Sequence, residues 1–140
     1  MCGRLKFRWA AILLLFLPLP SWGGPHRHSA KSATLSDPGY VFALATANRF
    51  LHAWQTGDLE TGMVLLSDHV RSSHDAETLE QLFSSGSDRA YEITRGQGHP
   101  GRYRFPVVLV TKSGGGLHRT FSEIVLVETG KNDWAVDKLP

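Results

Sequence analysis

The sequence predicts an α+β domain, with helices on one face of a curved antiparallel sheet of about four strands. Three observations carry that expectation. Apolar residues between Asp37 and Phe83 recur at helical spacing, and after residue 89 the pattern changes to runs rich in Val, Ile, Tyr and Phe. Short turns bearing Gly or Asn separate those runs, and strands joined so closely pair antiparallel because a parallel crossover needs a longer connection.

Asp37 followed by Pro38 reads as an N-cap with Pro in the first helical turn, where its missing N–H leaves no bond unmade. The helix from there to Thr56 turns Tyr40, Leu44, Ala47, Leu51 and Trp54 to one face, and Gly57 ends it as a left-handed C-cap. Asp58 then opens a second helix, expected to run through Ser67 with Leu59, Met63 and Leu66 inward. One Gly-Asp turn separates the two, so they form a tight hairpin. A shorter third helix is expected from Asp75 to Phe83, burying Leu79, Leu82 and Phe83, before "SSGSD" stops it.

The strands fall in "AYEITRG", "GRYRFPVVLVTK", "LHRTFSEIVLVETG" and "DWAVDKL". Alternation puts Tyr103, Phe105, Val107 and Leu109 on one side of the second strand. Pro106 lies inside that strand without an N–H to donate, so an edge position or a bulge is expected there.

Upstream of the domain, Arg4, Lys6 and Arg8 precede the apolar run "WAAILLLFLPL". That run is shorter than the roughly 20 residues a membrane-spanning helix needs. Residues 1–23 therefore read as a signal peptide cleaved after Gly23, residues 24–37 as a flexible lead-in and residues 38–140 as the domain. The product is expected to be periplasmic or secreted, touching a membrane only if the signal stays uncleaved. Without the three leader cations, the 15 Lys and Arg of the chain fall just below its 13 Asp and Glu. Such a domain has no basic footprint for nucleic acid.

Cys2, the one cysteine, leaves with the leader, which excludes a disulfide, a cysteine nucleophile and a zinc–thiolate site in the product. His69, His74 and Asp75 lack the spacing of a helical ligand pair, and Gly24-Pro25-His26 has no second amide proton to give up to copper, so neither metal nor cofactor is implied. Gly114 to Gly116 is a hairpin turn with no helix behind it to hold phosphate, and the chain has no GxSxG elbow.

The stretch from Phe50 through Trp54, Gly57-Asp58-Leu59 and Ser67-Asp68-His69-Val70 resembles the opening of the nuclear-transport-factor-like superfamily. That superfamily includes the SnoaL-like proteins and the ketosteroid isomerases. The resemblance extends to the closing "DWAVDKL" and implies a cone-shaped sheet wrapped on the helices around an apolar pocket. Isomerase members carry a Tyr on the first helix, a carboxylate base just beyond the second and an acid on the later sheet. Here Phe50 matches the Tyr position, His74 the base position, and Glu123 falls near the second acid. A phenyl ring offers no hydrogen bond to a developing enolate oxygen, so isomerase chemistry of that type is not expected.

Each candidate residue also has a plainer role. His74 suits proton abstraction by its ordinary pKa, and equally a solvated turn beside the N-cap Asp75. Glu123 reads either as a buried acid or as a surface carboxylate paired with Arg104 or Arg119. Phe50, Trp54, Tyr91, Tyr103, Phe105, Phe121 and Trp134 could line a pocket or simply fill the core. The expected function is non-catalytic: binding of a small apolar ligand, with Phe50, Trp54, Tyr103, Phe105 and Glu123 in contact, or contact with a protein. The alternatives are an isomerase-like or lyase-like acid–base enzyme using His74 with Glu123, and a dimerisation module. The dimer reading rests on Val107 to Val110 and Ile124 to Val127, which give both faces of the sheet apolar residues.

Overall fold

Helix α1 (Pro38–Thr56) begins where Asp37 Oδ1 accepts the Gly39 N–H at 3.0 Å, and ends at Gly57, whose φ of 73° lets its N–H return to the Ala53 carbonyl. Both ends are as the sequence predicts. The helix buries Tyr40, Ala43, Ala47, Phe50, Leu51, Ala53 and Trp54, with Leu44 half-buried at the margin of that stripe. The computed structural model describes residues 37–84 and 88–140. The expected signal peptide, its cleavage site and the lead-in before Asp37 lie outside the described residues.

The second helix is shorter than expected. Asp58 caps α2 (Leu59–Val64) through the Thr61 N–H at 3.0 Å, but the chain leaves the helix after Val64. Leu65 and Ser67 instead bond Val136: the Val136 N–H reaches the Leu65 carbonyl at 2.8 Å, and the Ser67 N–H reaches the Val136 carbonyl at 2.9 Å. A backbone group that serves a neighbouring strand is lost to a continuing helix ladder, so the helix ends there. Ser67 Oγ then caps a separate helix, α3 (Asp68–Ser73), by accepting the Val70 N–H at 3.2 Å. Helix α4 (Ala76–Phe83) starts at Asp75, as expected, and buries Leu79 and Phe83.

The sheet has five strands, one more than expected: β1 (Arg89–Ile93), β2 (Gln97–His99), β3 (Arg102–Ser113), β4 (Gly116–Gly130) and β5 (Asp133–Lys138). The order is β1-β3-β4-β5, every pair antiparallel, with β2 lying further along the same edge of β3 as β1. The extra strand depends on Gly96 and Gly98. A Cβ at Gly96 would collide with the Phe105 ring and one at Gly98 with the Arg102 carbonyl, so only glycine lets the chain lie this close to β3.

Pro106 therefore sits in an interior strand, and the break between β1 and β2 explains why it is tolerated. Its carbonyl accepts from Thr94 N at 2.9 Å, and in antiparallel pairing a residue's N–H and C=O point to the same side. The missing N–H thus faces the gap after Ile93, not β4.

The core lies between α1 and the inner face of the sheet, where Tyr103, Phe105, Val107, Ile124, Leu126, Trp134 and Val136 are buried. Tyr40 stands edge-on to Tyr103 at 5.6 Å, and Phe50 edge-on to Phe83 at 5.5 Å, the offset geometry that aromatic quadrupoles favour. Arg89 fastens the other end of the helical layer. Its guanidinium donates to the Trp54 and Leu82 carbonyls at 3.0 and 3.2 Å and to Ser84 O at 2.9 Å, with its Cζ 4.9 Å from the Trp54 ring centroid. These carbonyls end α1 and α4, where helix dipoles favour a cation.

Two expectations follow from these ends. Arg89→Met keeps the apolar stem and removes the donors, so urea unfolding should show a loss of about 2 kcal/mol, the worth of charged hydrogen bonds set partly in water. Asp58 and Asp75 are held below the ordinary carboxyl value of 3.8 by the N–H and hydroxyl of Thr61 and Thr78 respectively. Their stabilisation is present above that value and lost as pH falls through and below it. A chain carrying Asp58→Asn and Asp75→Asn keeps capping oxygens that do not titrate, and its melting temperature should fall less steeply on acidification.

Candidate functional surface at the outer sheet face

Strand alternation divides β3 and β4 into an inner face covered by the helices and an outer face left bare. Opposed pairs on the outer face run, from the hairpin turn downward, Lys112–Leu117, Val110–Arg119, Val108–Phe121, Pro106–Glu123, Arg104–Val125 and Arg102–Val127. Strand β1 extends two of these rows, with Ala90 beside Val110 and Glu92 beside Val108.

The lower half of this face is closed by its own charges. Arg102 reaches Asp137 at 3.0 Å, and Glu123 lies 3.4 Å from Lys138 and 4.0 Å from Arg104. A register shift makes this possible: Val125 pairs with Lys138 and Leu126 with Val136, so Asp137 is an extra residue re-aimed by a bulge. Its other oxygen accepts from Ser67 Oγ at 3.0 Å, tying the start of α3 to the same network. Val125 is buried within this half.

The half near the hairpin turn is less covered, its ion pair among the described residues being Lys112 with Asp88 at 3.7 Å beside the turn. Phe121 is 80% exposed and Leu117 68% exposed, with Pro106 and Ala90 exposed and Val108 and Val110 half-buried beside them. Arg119 lies between Leu117 and Phe121 on the same face.

The residues singled out in the sequence separate into three places. Phe50, Trp54, Tyr103 and Phe105 lie together in the core, each 5% exposed or less, and Trp134 packs on Tyr103 with ring centroids 5.5 Å apart. The Trp134 Nε1 is buried without a hydrogen-bond partner among the described residues. Glu123 lies on the other face of the sheet from Tyr103 and Phe105, one third exposed and paired with cations. His74 ends α3 in extended backbone, exposed, its Nδ1 3.0 Å from the Val70 carbonyl. His74 and Glu123 are thus not brought together. Phe121, read as a pocket candidate, points outward, away from Tyr103 and Phe105. The parity of Leu117, Arg119, Phe121 and Glu123 signalled that they share a face; which face was settled by Ile124 taking the core side.

The bond that seats the start of α1 has no local signal in the sequence. The Tyr103 hydroxyl donates to Asp37 Oδ2, while Oδ1 of the same carboxylate caps the helix. Nearby, the Gly96 N–H donates to the Tyr40 hydroxyl at 3.1 Å.

No protein-family model, curated protein or solved structure matches the chain. Among the described residues no group of three His, Cys, Asp or Glu is placed to hold a metal ion, and no helix is long and apolar enough to cross a membrane.

Burial, and secondarily the bond to Asp37, pushes the Tyr103 phenol from 10.0 up to about 12. A raised value favours the neutral phenol in the folded state, so its stabilisation is complete below 10 and lost as pH rises from 10 towards 12. Tyr103→Phe should lower stability at neutral pH by about 1 kcal/mol, the net worth of one hydrogen bond. It should also flatten the alkaline branch of the stability curve, read from denaturant midpoints at successive pH values.

Proposed function

We propose that this chain is an exported, non-catalytic interaction module of nuclear-transport-factor-like kinship, which joins a second copy of itself through the outer face of its sheet. The observation that carries the reading is the 80% exposure of Phe121 beside the apolar row Pro106, Val108 and Val110 along β3. An antiparallel sheet with one face in water normally sets polar residues on that face. Here the outward positions include Pro106, Val108, Val110, Leu117 and Phe121. Burying such a side chain is worth about 1.5–3 kcal/mol, and a contiguous apolar patch of this kind marks a contact surface. The half of the face that its own ion pairs already close needs no partner, which confines the contact to the end near the hairpin turn.

Binding of a small apolar ligand has a narrower foothold on the inner face. Leu44, Tyr91, Ile93 and Leu109 are only half-buried there, and the Tyr91 hydroxyl donates to Asn48 Oδ1 at 2.8 Å, a polar handle beside apolar walls.

Sedimentation of the protein recovered from a secreting host should give a dimer, and Phe121→Asp should give a folded monomer with a near-unchanged melting temperature. A wild-type monomer at concentrations well above micromolar would refute self-association. Native mass spectrometry on the same material tests the narrower reading, since a retained apolar adduct would favour it.

A further inference from the structure

We infer that the two-fold axis of the proposed dimer passes beside Val108, and that Arg119 of each copy pairs with Glu92 of the other. The inference rests on the self-association proposed above and specifies its geometry. Val108 sits on β3 with Glu92 opposite it on β1 and Phe121 opposite it on β4, while Arg119 lies one outward position nearer the turn on β4. The two charges therefore flank the apolar row from opposite sides of β3, one at each margin.

They also differ from the other charges of this surface. Arg102, Arg104, Lys112, Glu123, Asp137 and Lys138 each have an ion-pair partner within the chain. Glu92 and Arg119 are exposed and have none among the described residues. An isologous contact requires a patch complementary to itself, in which residue i meets residue j and j meets i. Opposite charges on either side of a central apolar residue satisfy that requirement. When Val108 meets its own copy at the axis, each Arg119 is carried across β3 towards Glu92 of the other copy, and Phe121 is carried over Val108 and Pro106. Both ion pairs then lie at the rim, where charge sets orientation and register more than affinity.

The test is charge reversal, followed by sedimentation equilibrium. Arg119→Glu and Glu92→Arg should each raise the dimer dissociation constant roughly tenfold or more, because each places two like-charge pairs across the axis. The chain carrying both reversals should return to within about threefold of the wild type, a rescue that mere loss of folding would not produce. Independently, Val108→Cys in a Cys2→Ser background should form an intermolecular disulfide under mild oxidation, and Val127→Cys should not. Dissociation that persists in the double reversal, or cross-linking through Val127 in place of Val108, would overturn this arrangement while leaving the dimer intact. A wild-type monomer would remove both proposals at once.

Discussion

Helix α1 has a stripe of buried side chains from Tyr40 to Trp54, and the inner face of the sheet is the surface that covers it. That contact constrains most of what surrounds it. Its start is fixed by one carboxylate with two duties, Asp37 capping the helix and accepting from buried Tyr103. Its end is fixed by Arg89, which reaches the last carbonyls of both α1 and α4. A helix held at both ends against the sheet leaves little freedom in how the aromatic rings between them meet. Gly96 and strand β2 can then be drawn close over Phe105 and Tyr103.

Filling the inner face with Tyr40, Phe50, Tyr103, Phe105 and Trp134 also decides what remains for function. These aromatic side chains are largely in contact with one another, and the potential acid–base pair His74 and Glu123 is divided between the end of a short helix and the far face of the sheet. The outer face divides in turn. A single-residue bulge brings Asp137 to Arg102 and Ser67, and Glu123 to Lys138 lies alongside, so one half is neutralised within the chain. The other half keeps Phe121 and Leu117 in water. Apolar area left uncovered next to area that has been covered is the asymmetry from which the proposed function is built.

Local chemistry made much of the fold legible. Asp37-Pro38 and Gly57 marked both ends of α1, Asp75 marked the start of α4, and the alternation of Tyr103, Phe105 and Val107 identified the core side of β3. The end of the second helix is not legible locally, because Leu65, Leu66 and Ser67 are compatible with a helix, and Val136, distant in the chain, offers the competing set of hydrogen bonds. The place of Pro106 in an interior strand is hidden for a related reason. A proline excludes one backbone donor, but whether that donor would face a partner strand depends on where β1 breaks off and β2 begins.

The sequence by itself determined the α+β class, the caps at Asp37, Gly57, Asp58 and Asp75, the succession of helices by strands and which residues share a strand face, since each is written in near neighbours along the chain. Only the tertiary structure decided which face of β4 meets water, which charges of the sheet find partners, and that Tyr103 closes on Asp37, because those outcomes depend on residues distant in the chain, such as Glu123 and Lys138, 15 positions apart, or Asp37 and Tyr103, 66 apart. Periodicity states that Phe121 and Glu123 point the same way. It takes the packing of Ile124 and Leu126 beneath α1 to state that this way is outward.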